Sequence, residues 1–260
     1  MLDRRKKESH KGDNGKVMVI GGSPMFYGAP ILCALGAEAS GADLVFPFIP
    51  PEHVEAAKSY SLNFIIHPFQ QSAITLADVD AIVEFHTKAD VVVIGPGLEQ
   101  DTDTANVLKA LLPQLKRPTV IDAGALIETS IYPAITILTP HRGEFKALTG
   151  DDPTPENVQK WAGTLGVIMV CKGPQDVIAN REMIALNETG NAAMTVGGTG
   201  DVLSGLIAGL ISQGITPLDA CEMATNVLGV CAENLTHLQS SVRALDLIHH
   251  IPVMMHKLSD

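Results

Sequence analysis

The chain is short of cysteines, cations and long apolar runs, and each shortage removes a class of protein. Its four cysteines, Cys33, Cys171, Cys221 and Cys231, form no Cys-x-x-Cys pair and fall in apolar segments. That pattern argues against a zinc site or a disulfide framework and for buried, reduced thiols. Lysine and arginine number 18 against 29 acidic residues, a formal net charge of -11. Nucleic acid is therefore not expected as a partner, and a phosphorylated ligand must be held by local N–H groups and a few cations. The longest apolar run, Val202 to Ile215, is interrupted by Ser204, Ser212 and Gln213 and falls short of the ~20 residues that span a bilayer. Only Val17 to Ile20 follows the basic cluster Arg4, Arg5, Lys6 and Lys7 before Gly21, too little for the apolar core of a signal peptide. A soluble, cytoplasmic protein without membrane contact is the expectation. Internal repeats, low-complexity tracts and linker-like stretches are also missing, so residues 1–260 are expected to form one domain with a full core.

Short β-branched runs alternate with longer helical patterns. The expected strands are Lys16 to Ile20, Leu44 to Phe48, Phe64 to His67, Val91 to Ile94, Thr119 to Ile121, Ile135 to Leu138 and Val167 to Cys171. Near-continuous apolar strands of this kind belong in a parallel sheet covered on both faces. Expected helices include Pro30 to Ser40, Asp103 to Leu112, Pro155 to Leu165 and Pro217 to Leu235, the last two opened by Thr154-Pro155 and Thr216-Pro217. Val177 to Ala179 and Met183 to Leu186 suggest a hairpin added after the last parallel strand. The fold class is α/β, a three-layer α/β/α sandwich around a mostly parallel sheet. Glycine-rich or polar clusters follow the strands: Gly21-Gly22-Ser23, Gly95-Pro96-Gly97, Asp122, Thr139-Pro140-His141 and Lys172-Gly173. In a parallel sheet these clusters converge on one crevice along the strand C-termini.

Late in the chain, Gly197-Gly198-Thr199-Gly200-Asp201 leads into an apolar helical run to Gly214. Glycines there permit positive φ and close backbone approach, and the helix N-terminus points unpaired N–H groups at whatever lies over the turn. A phosphate suits that position. Asp201 beside it is placed to take a proton from an attacking hydroxyl; the alternative is a strand-to-helix turn with Asp201 as a cap. No Gly-Lys-Ser/Thr follows, so the loop is not a Walker A motif, and it lies too late for a dinucleotide fingerprint.

Several segments together closely resemble the NAD(P)H-hydrate dehydratases of the ribokinase-like superfamily. They are HKGDNG (10–15), VIGGS (19–23), YGAP (27–30), IGPGL (94–98), IDAGAL (121–126), LTPHRGEF (138–145), CKG (171–173) and GNAAMTVGGTGDVLSG (190–205). The most specific pairing is LTPH-x-GE with GGTGDVLSG. The resemblance implies a ribokinase-like fold and an enzyme, a carbon-oxygen lyase, that uses ADP or ATP with Mg2+ to dehydrate the damaged, hydrated forms of NADH and NADPH. Asp201 would be the catalytic base. Ala29, Gly97, His141 and Asp201 match positions around the hydrated cofactor, and Lys172, Gly173, Pro174, Gln175, Asp176 and Gly200 match positions around the adenine nucleotide, with Gly197, Gly198 and Thr199 completing the phosphate loop. Glu144 resembles an acidic residue that supports magnesium through water. The resemblance also implies a homo-oligomer, often a tetramer, and a separate epimerase, because 260 residues correspond to the dehydratase part alone.

Each residue has a plainer competitor. His141 could cap the helix that runs on to Thr149 and stops at Gly150; Lys172 could be a snorkelling surface lysine; Gly97 could end a strand, although Gly-Pro-Gly leaves room for a ligand to approach; Glu144 could be an exposed helix-start carboxylate. The chain departs from the family pattern at Asp176, where threonine is usual, at Gly124, where a second acid is common, and in the proline-free GNAAMTV. A superfamily kinase acting on a sugar or a hydroxymethylpyrimidine would use the same loop and Asp201; a non-catalytic nucleotide sensor on this scaffold would be marked by loss of the base, and here Asp201 is present.

Overall fold

The computed structural model describes residues 8–127, 129, 131–237 and 241–257; the basic cluster Arg4 to Lys7 lies outside the described residues. Among the described residues nine strands form one sheet: β1 (Lys16–Ile20), β2 (Leu44–Ile49), β3 (His67–Pro68), β4 (Val91–Ile94), β5 (Thr119–Ile121), β6 (Thr136–Leu138), β7 (Ile168–Cys171), β8 (Asp176–Ala179) and β9 (Ile184–Asn187). Their order is β3-β2-β1-β4-β5-β6-β7-β8-β9. Strands β1 to β7 pair in parallel, and β8 and β9 close the edge as an antiparallel hairpin.

Alternation along each strand sends side chains to two faces, and both faces are apolar. Val17 and Val19 of β1 and Val91 and Val93 of β4 enter one core, packed by α1 (Gly28–Ala39), α7 (Thr199–Ser212), α8 (Pro217–Thr236) and α9 (Ala244–Lys257). Met18, Ile20, Val92 and Ile94 enter the other, packed by α3 (Val79–Phe85), α4 (Thr102–Leu111), α5 (Arg142–Thr149) and α6 (Pro155–Leu165). The remaining helix, α2 (Val54–Tyr60), gives Ala57 to the first core. Burying each of these aliphatic side chains contributes roughly 1.5–3 kcal/mol, which is why a sheet without a polar face needs both helical layers. Among the described residues no helix is long and apolar enough to cross a membrane.

Most expected elements appear within a residue or two. Thr154 and Thr216 cap α6 and α8, accepting from Asn157 N at 3.2 Å and Asp219 N at 3.4 Å. The strand expected over Phe64 to His67 is displaced and reduced to His67–Pro68, although Ile65 N and Phe69 N also donate to β2 at 3.1 and 2.8 Å. The hairpin turn is longer than expected, with Asn180 Oδ1 accepting from Glu182 N and Met183 N and Ala179 opposite Ile184. The helix expected from Asp201 begins at Thr199, so Gly200 belongs to its first turn.

Candidate active site

The sheet order turns at β1, whose neighbours are β2 on one side and β4 on the other. Loops leaving β1 and β4 diverge there and open a crevice of the kind in which α/β sheets bind ligands. Gly22 N donates to Pro96 O at 2.9 Å and Gly95 N to Ile20 O at 3.0 Å, so the two loops remain tied at their bases. Ala29 and Gly97 meet at this point: a Cβ on Gly97 would lie 3.2 Å from Ala29 Cβ. It would also lie 2.6 Å from the Phe26 carbonyl oxygen. Close packing in the Cβ direction, with φ of 73°, is therefore what requires glycine here. Met25, Phe26 and Tyr27 beside it form an exposed apolar rim.

Farther along the edge, the ends of β5, β6 and β7 are joined by a buried polar network. Lys172 Nζ reaches across the end of β6 to Asp122 Oδ1 at 2.9 Å. Ser204 Oγ of α7 donates to the other oxygen, Asp122 Oδ2, at 2.7 Å and stands 3.3 Å from Thr139 Oγ1. Asp122, Ser204 and Thr139 are buried. The lysine is thus no snorkelling surface residue: its side chain is only 20% exposed. Burial alone would lower its pKa, but Asp122, Glu144 and Asp201 outweigh that and raise it, keeping the ammonium charged.

Asp201 stands in the first turn of α7, and its carboxylate has no hydrogen-bond partner among the described residues. Gly198 at the N-cap has φ of 95° and supplies no side-chain cap, so the first N–H groups of the helix stay open. The capping alternative for Asp201 is not what the chain adopts. Burial first, then the charges of Asp122 and Glu144, push its pKa up to about 7, with Lys172 pulling the other way. Of the three glycines in the turn only Gly198 has positive φ. Gly200 is small for another reason: a Cβ there would sit 3.1 Å from Lys172 Nζ.

A cavity of about 810 Å³ opens between β7, the segment 189–199 and α8. Lys172, Gly173, Pro174, Asp176, Gly197, Thr199 and Gly200 line it, as does His141. Gln175 and Gly198 do not: Gln175 Nε2 turns to Glu188 Oε1 at 2.9 Å, and Gly198 packs under Leu32. Asp176 accepts from Gly173 N at 3.0 Å and Asn187 Nδ2 at 3.1 Å, closing the turn that carries Lys172. Burial raises its pKa, partly offset by those bonds. Leu203 and Leu228 give the cavity an apolar floor, so its volume and mixed lining suit a nucleotide.

His141 stands between this cavity and a second, of about 490 Å³, which Gln100, Gly124 and Glu144 also line. Its Nδ1 accepts from Gly143 N at 3.0 Å and Glu144 N at 3.1 Å, while Glu144 Oε2 accepts from His141 N at 2.7 Å. This capping box makes His141 the cap of α5, which ends at Gly150. The imidazole still faces both cavities. Glu144 is half-buried rather than exposed. Among the described residues no group of three His, Cys, Asp or Glu side chains is gathered for a metal. This donor set offers no protein cage; it suits a magnesium ion that keeps waters and takes direct ligands from phosphate oxygens, with Glu144 reached through water.

The arrangement brings together a carboxylate poised to accept a proton, a fixed ammonium, open helix N–H groups and a nucleotide-sized cavity. Sequence reasoning missed Asp122, Ser204 and Thr139 as site residues, although Asp122 and Thr139 were marked as polar residues at strand ends. It also missed the lining contributed by Thr189, Asn191 and Leu228.

A sequence profile described as NAD(P)H-hydrate dehydratase matches residues 17–253. The bifunctional NAD(P)H-hydrate repair enzyme Nnr of Pyrobaculum aerophilum is 38% identical over 95% of the chain, which spans 52% of that protein's length. The ADP-dependent (S)-NAD(P)H-hydrate dehydratase of Cenarchaeum symbiosum is 34% identical over 96% of the chain and 92% of its own length. The solved structure of the ADP/ATP-dependent NAD(P)H-hydrate dehydratase from Bacillus subtilis, co-crystallized with ATP and Mg2+, superposes with a TM-score of 0.86 at 29% identity, covering 98% of this chain and 94% of that one.

Proposed function

The chain belongs to the NAD(P)H-hydrate dehydratase family, and from that premise we propose that it uses ADP or ATP to dehydrate hydrated NADH and NADPH. The observation that carries the proposal is the unpartnered Asp201 carboxylate, with a pKa of about 7, beside the Lys172 ammonium and the uncapped start of α7. Hydroxide is a poor leaving group, so the ring hydroxyl is first phosphorylated. Asp201 takes the hydroxyl proton as that oxygen bonds to the terminal phosphorus of the nucleotide, and the bridging P–O bond breaks to release AMP from ADP or ADP from ATP. The N–H groups of residues 197–200 and Lys172 stabilise the charge on the transferring group. The ring nitrogen then donates its electron pair, the C–O bond breaks with its electrons leaving on phosphate, and loss of a proton from the adjacent carbon restores the dihydronicotinamide.

In this reading the adenine nucleotide fills the cavity of about 810 Å³, with Lys172, Gly173 and Pro174 along one wall. Gln175 and Asp176 contribute through the shape of their turn. The hydrated cofactor occupies the crevice over Ala29 and Gly97 and reaches Asp201 past His141. Magnesium on the nucleotide phosphates, supported through water by Glu144, would neutralise part of their charge. The proposal further holds that residues 1–260 act as one lyase domain, that the chain assembles as a homotetramer, and that an epimerase activity in the same pathway supplies the hydrate epimer the site accepts.

The test is absorbance in the reduced-nicotinamide band when the purified protein meets NADH hydrate, magnesium and either ADP or ATP, with free phosphate assayed in parallel. Recovery of NADH with matching phosphate release is expected and identifies the donor. Phosphate retained on an organic product would instead make the protein a small-molecule kinase.

A further inference from the structure

The buried pair Lys172–Asp122 is not explained by anchoring alone. Asp122 follows β5 and Lys172 follows β7, so the lysine side chain must pass over the end of β6 to make the contact. The backbone already joins these strand ends without it: Thr139 N donates to Ile121 O at 3.1 Å and Lys172 N to Pro140 O at 2.8 Å. A buried ion pair contributes little stability beyond what apolar residues of the same volume would give. The pair is also asymmetric, with the Asp122 side chain 2% exposed and that of Lys172 20% exposed. The lysine's open side lines the nucleotide-sized cavity. Space for its ammonium is reserved at Gly200, where a Cβ would come within 3.1 Å of Nζ.

We propose that Asp122 is a positioning residue of the reaction: one carboxylate oxygen holds Lys172 Nζ, the other is fixed by Ser204 Oγ, and together they keep the lysine's charge against the first turn of α7. This rests on the dehydratase reading above. The chemistry needs the device because Lys172 and Asp201 are opposite charges in one low-dielectric crevice. An untethered ammonium would pair with Asp201 and quench the base; Asp122 holds it on the phosphoryl side instead. Ser204 is suited to orient Asp122 because it lies on the same helix as Asp201, one turn on, and its hydroxyl also contacts Gly200 O at 3.1 Å. The charged or titratable groups around Asp201 are Asp122, Lys172, Glu144 and, on α1, the buried Cys33 thiol.

The test compares wild type, Asp122→Asn, Lys172→Met and Ser204→Ala in the NADH-recovery assay, with pH profiles of kcat/KM and thermal melts on each. Asp122→Asn is expected to lower kcat on the order of 100-fold, a loss typical of disturbed preorganised charge, with nucleotide KM within about threefold. Its acidic limb should move to lower pH, both because the Asp122 charge that raises the Asp201 pKa is gone and because Lys172 is free to turn to Asp201; in Lys172→Met the limb should move to higher pH, and in Ser204→Ala, which changes no charge, it should move to lower pH as Lys172 is released. Ser204→Ala should lose about tenfold or more in kcat, as expected for one hydrogen bond to a charged group, and it decides the matter if the charge variants do not fold. A merely structural role would lower melting temperatures and leave the limb of the charge-neutral Ser204→Ala at the wild-type pH, and that result overturns the proposal. Wild type inactive with both nucleotides overturns the dehydratase reading, and this proposal with it; active wild type with an unshifted limb in Ser204→Ala overturns this proposal alone.

Discussion

Asp201 carries two consequences of one perturbation. Its carboxyl titrates at about 7 in the folded chain against an ordinary value of 3.8, so between those values the folded state binds a proton that the unfolded state has released. The contribution to stability is therefore fully present below the unfolded value and is lost as pH rises through about 7. Asp201→Asn removes the buried charge. Its Tm should exceed that of wild type at pH 8 and converge with it near pH 4; an offset that ignores pH would show an ordinary carboxyl. The same variant should lose on the order of 100- to 10,000-fold in turnover while still binding nucleotide by calorimetry. Retained turnover would remove the assigned base.

His141 needs a different substitution, because its Nδ1 caps α5 while its ring faces both cavities. Asparagine is a good N-cap and lacks the imidazole. His141→Asn should keep the wild-type Tm and raise the KM for NADH hydrate, whereas His141→Ala should also lose about 1 kcal/mol of stability. A wild-type KM in the asparagine variant would leave His141 with capping alone. The contrast between these residues and their neighbours explains what the sequence disclosed. Asp201 was legible because glycines and acid are contiguous. Asp122 was not, since its partners Lys172 and Ser204 lie 50 and 82 positions away, and only the sheet order brings them together.

At the scale of elements, α1 and α7 decide whether Asp201 is held in place. The two helices pack backbone to backbone: a Cβ on Gly205 would overlap the Cys33 carbonyl oxygen, and one on Gly209 would overlap Ser40 Oγ. Gly205→Ala should therefore cost ~3 kcal/mol, at the upper end for overpacking, lowering Tm by roughly 6–12 °C for a domain of this size. Gly163→Ala on α6 is the control. Its nearest neighbours would be an ordinary 3.5 Å away, and in a helix interior alanine is the better residue, so Tm should hold or rise. Equal losses in both variants would mean that glycine is needed for something other than helix approach. Helix and strand positions were legible from apolar period and caps, as at Thr154 and Thr216. The short β3 was not, because the apolar run Phe64 to Ile66 looks like a strand, yet the paired residues are His67 and Pro68 just beyond it.

At the scale of the whole molecule, the sheet is unbroken from β3 to β9, and the crevice draws on loops from both ends of the sequence. Residues near 22 and 97 meet at the sheet's turning point, and residues 122, 172 and 201 meet beyond it. Both layers of helices were foreseeable from apolar strands with no polar face; the partition of helices between layers was not, since it depends on the crossover after each strand. A site assembled this way links nucleotide binding to the stability of the entire sheet rather than of its second half. Calorimetry should show one unfolding transition, and ADP or ATP at about 100 times its Kd should add ~2.7 kcal/mol, moving that transition upward as a unit by roughly 5–11 °C. A transition that splits, with only one component raised by nucleotide, would mean that the half carrying Asp122, Lys172 and Asp201 folds independently of the half carrying Ala29 and Gly97. The hydrated cofactor and the nucleotide would then be held by separately unfolding parts, and mutations around Gly97 should leave nucleotide stabilisation untouched.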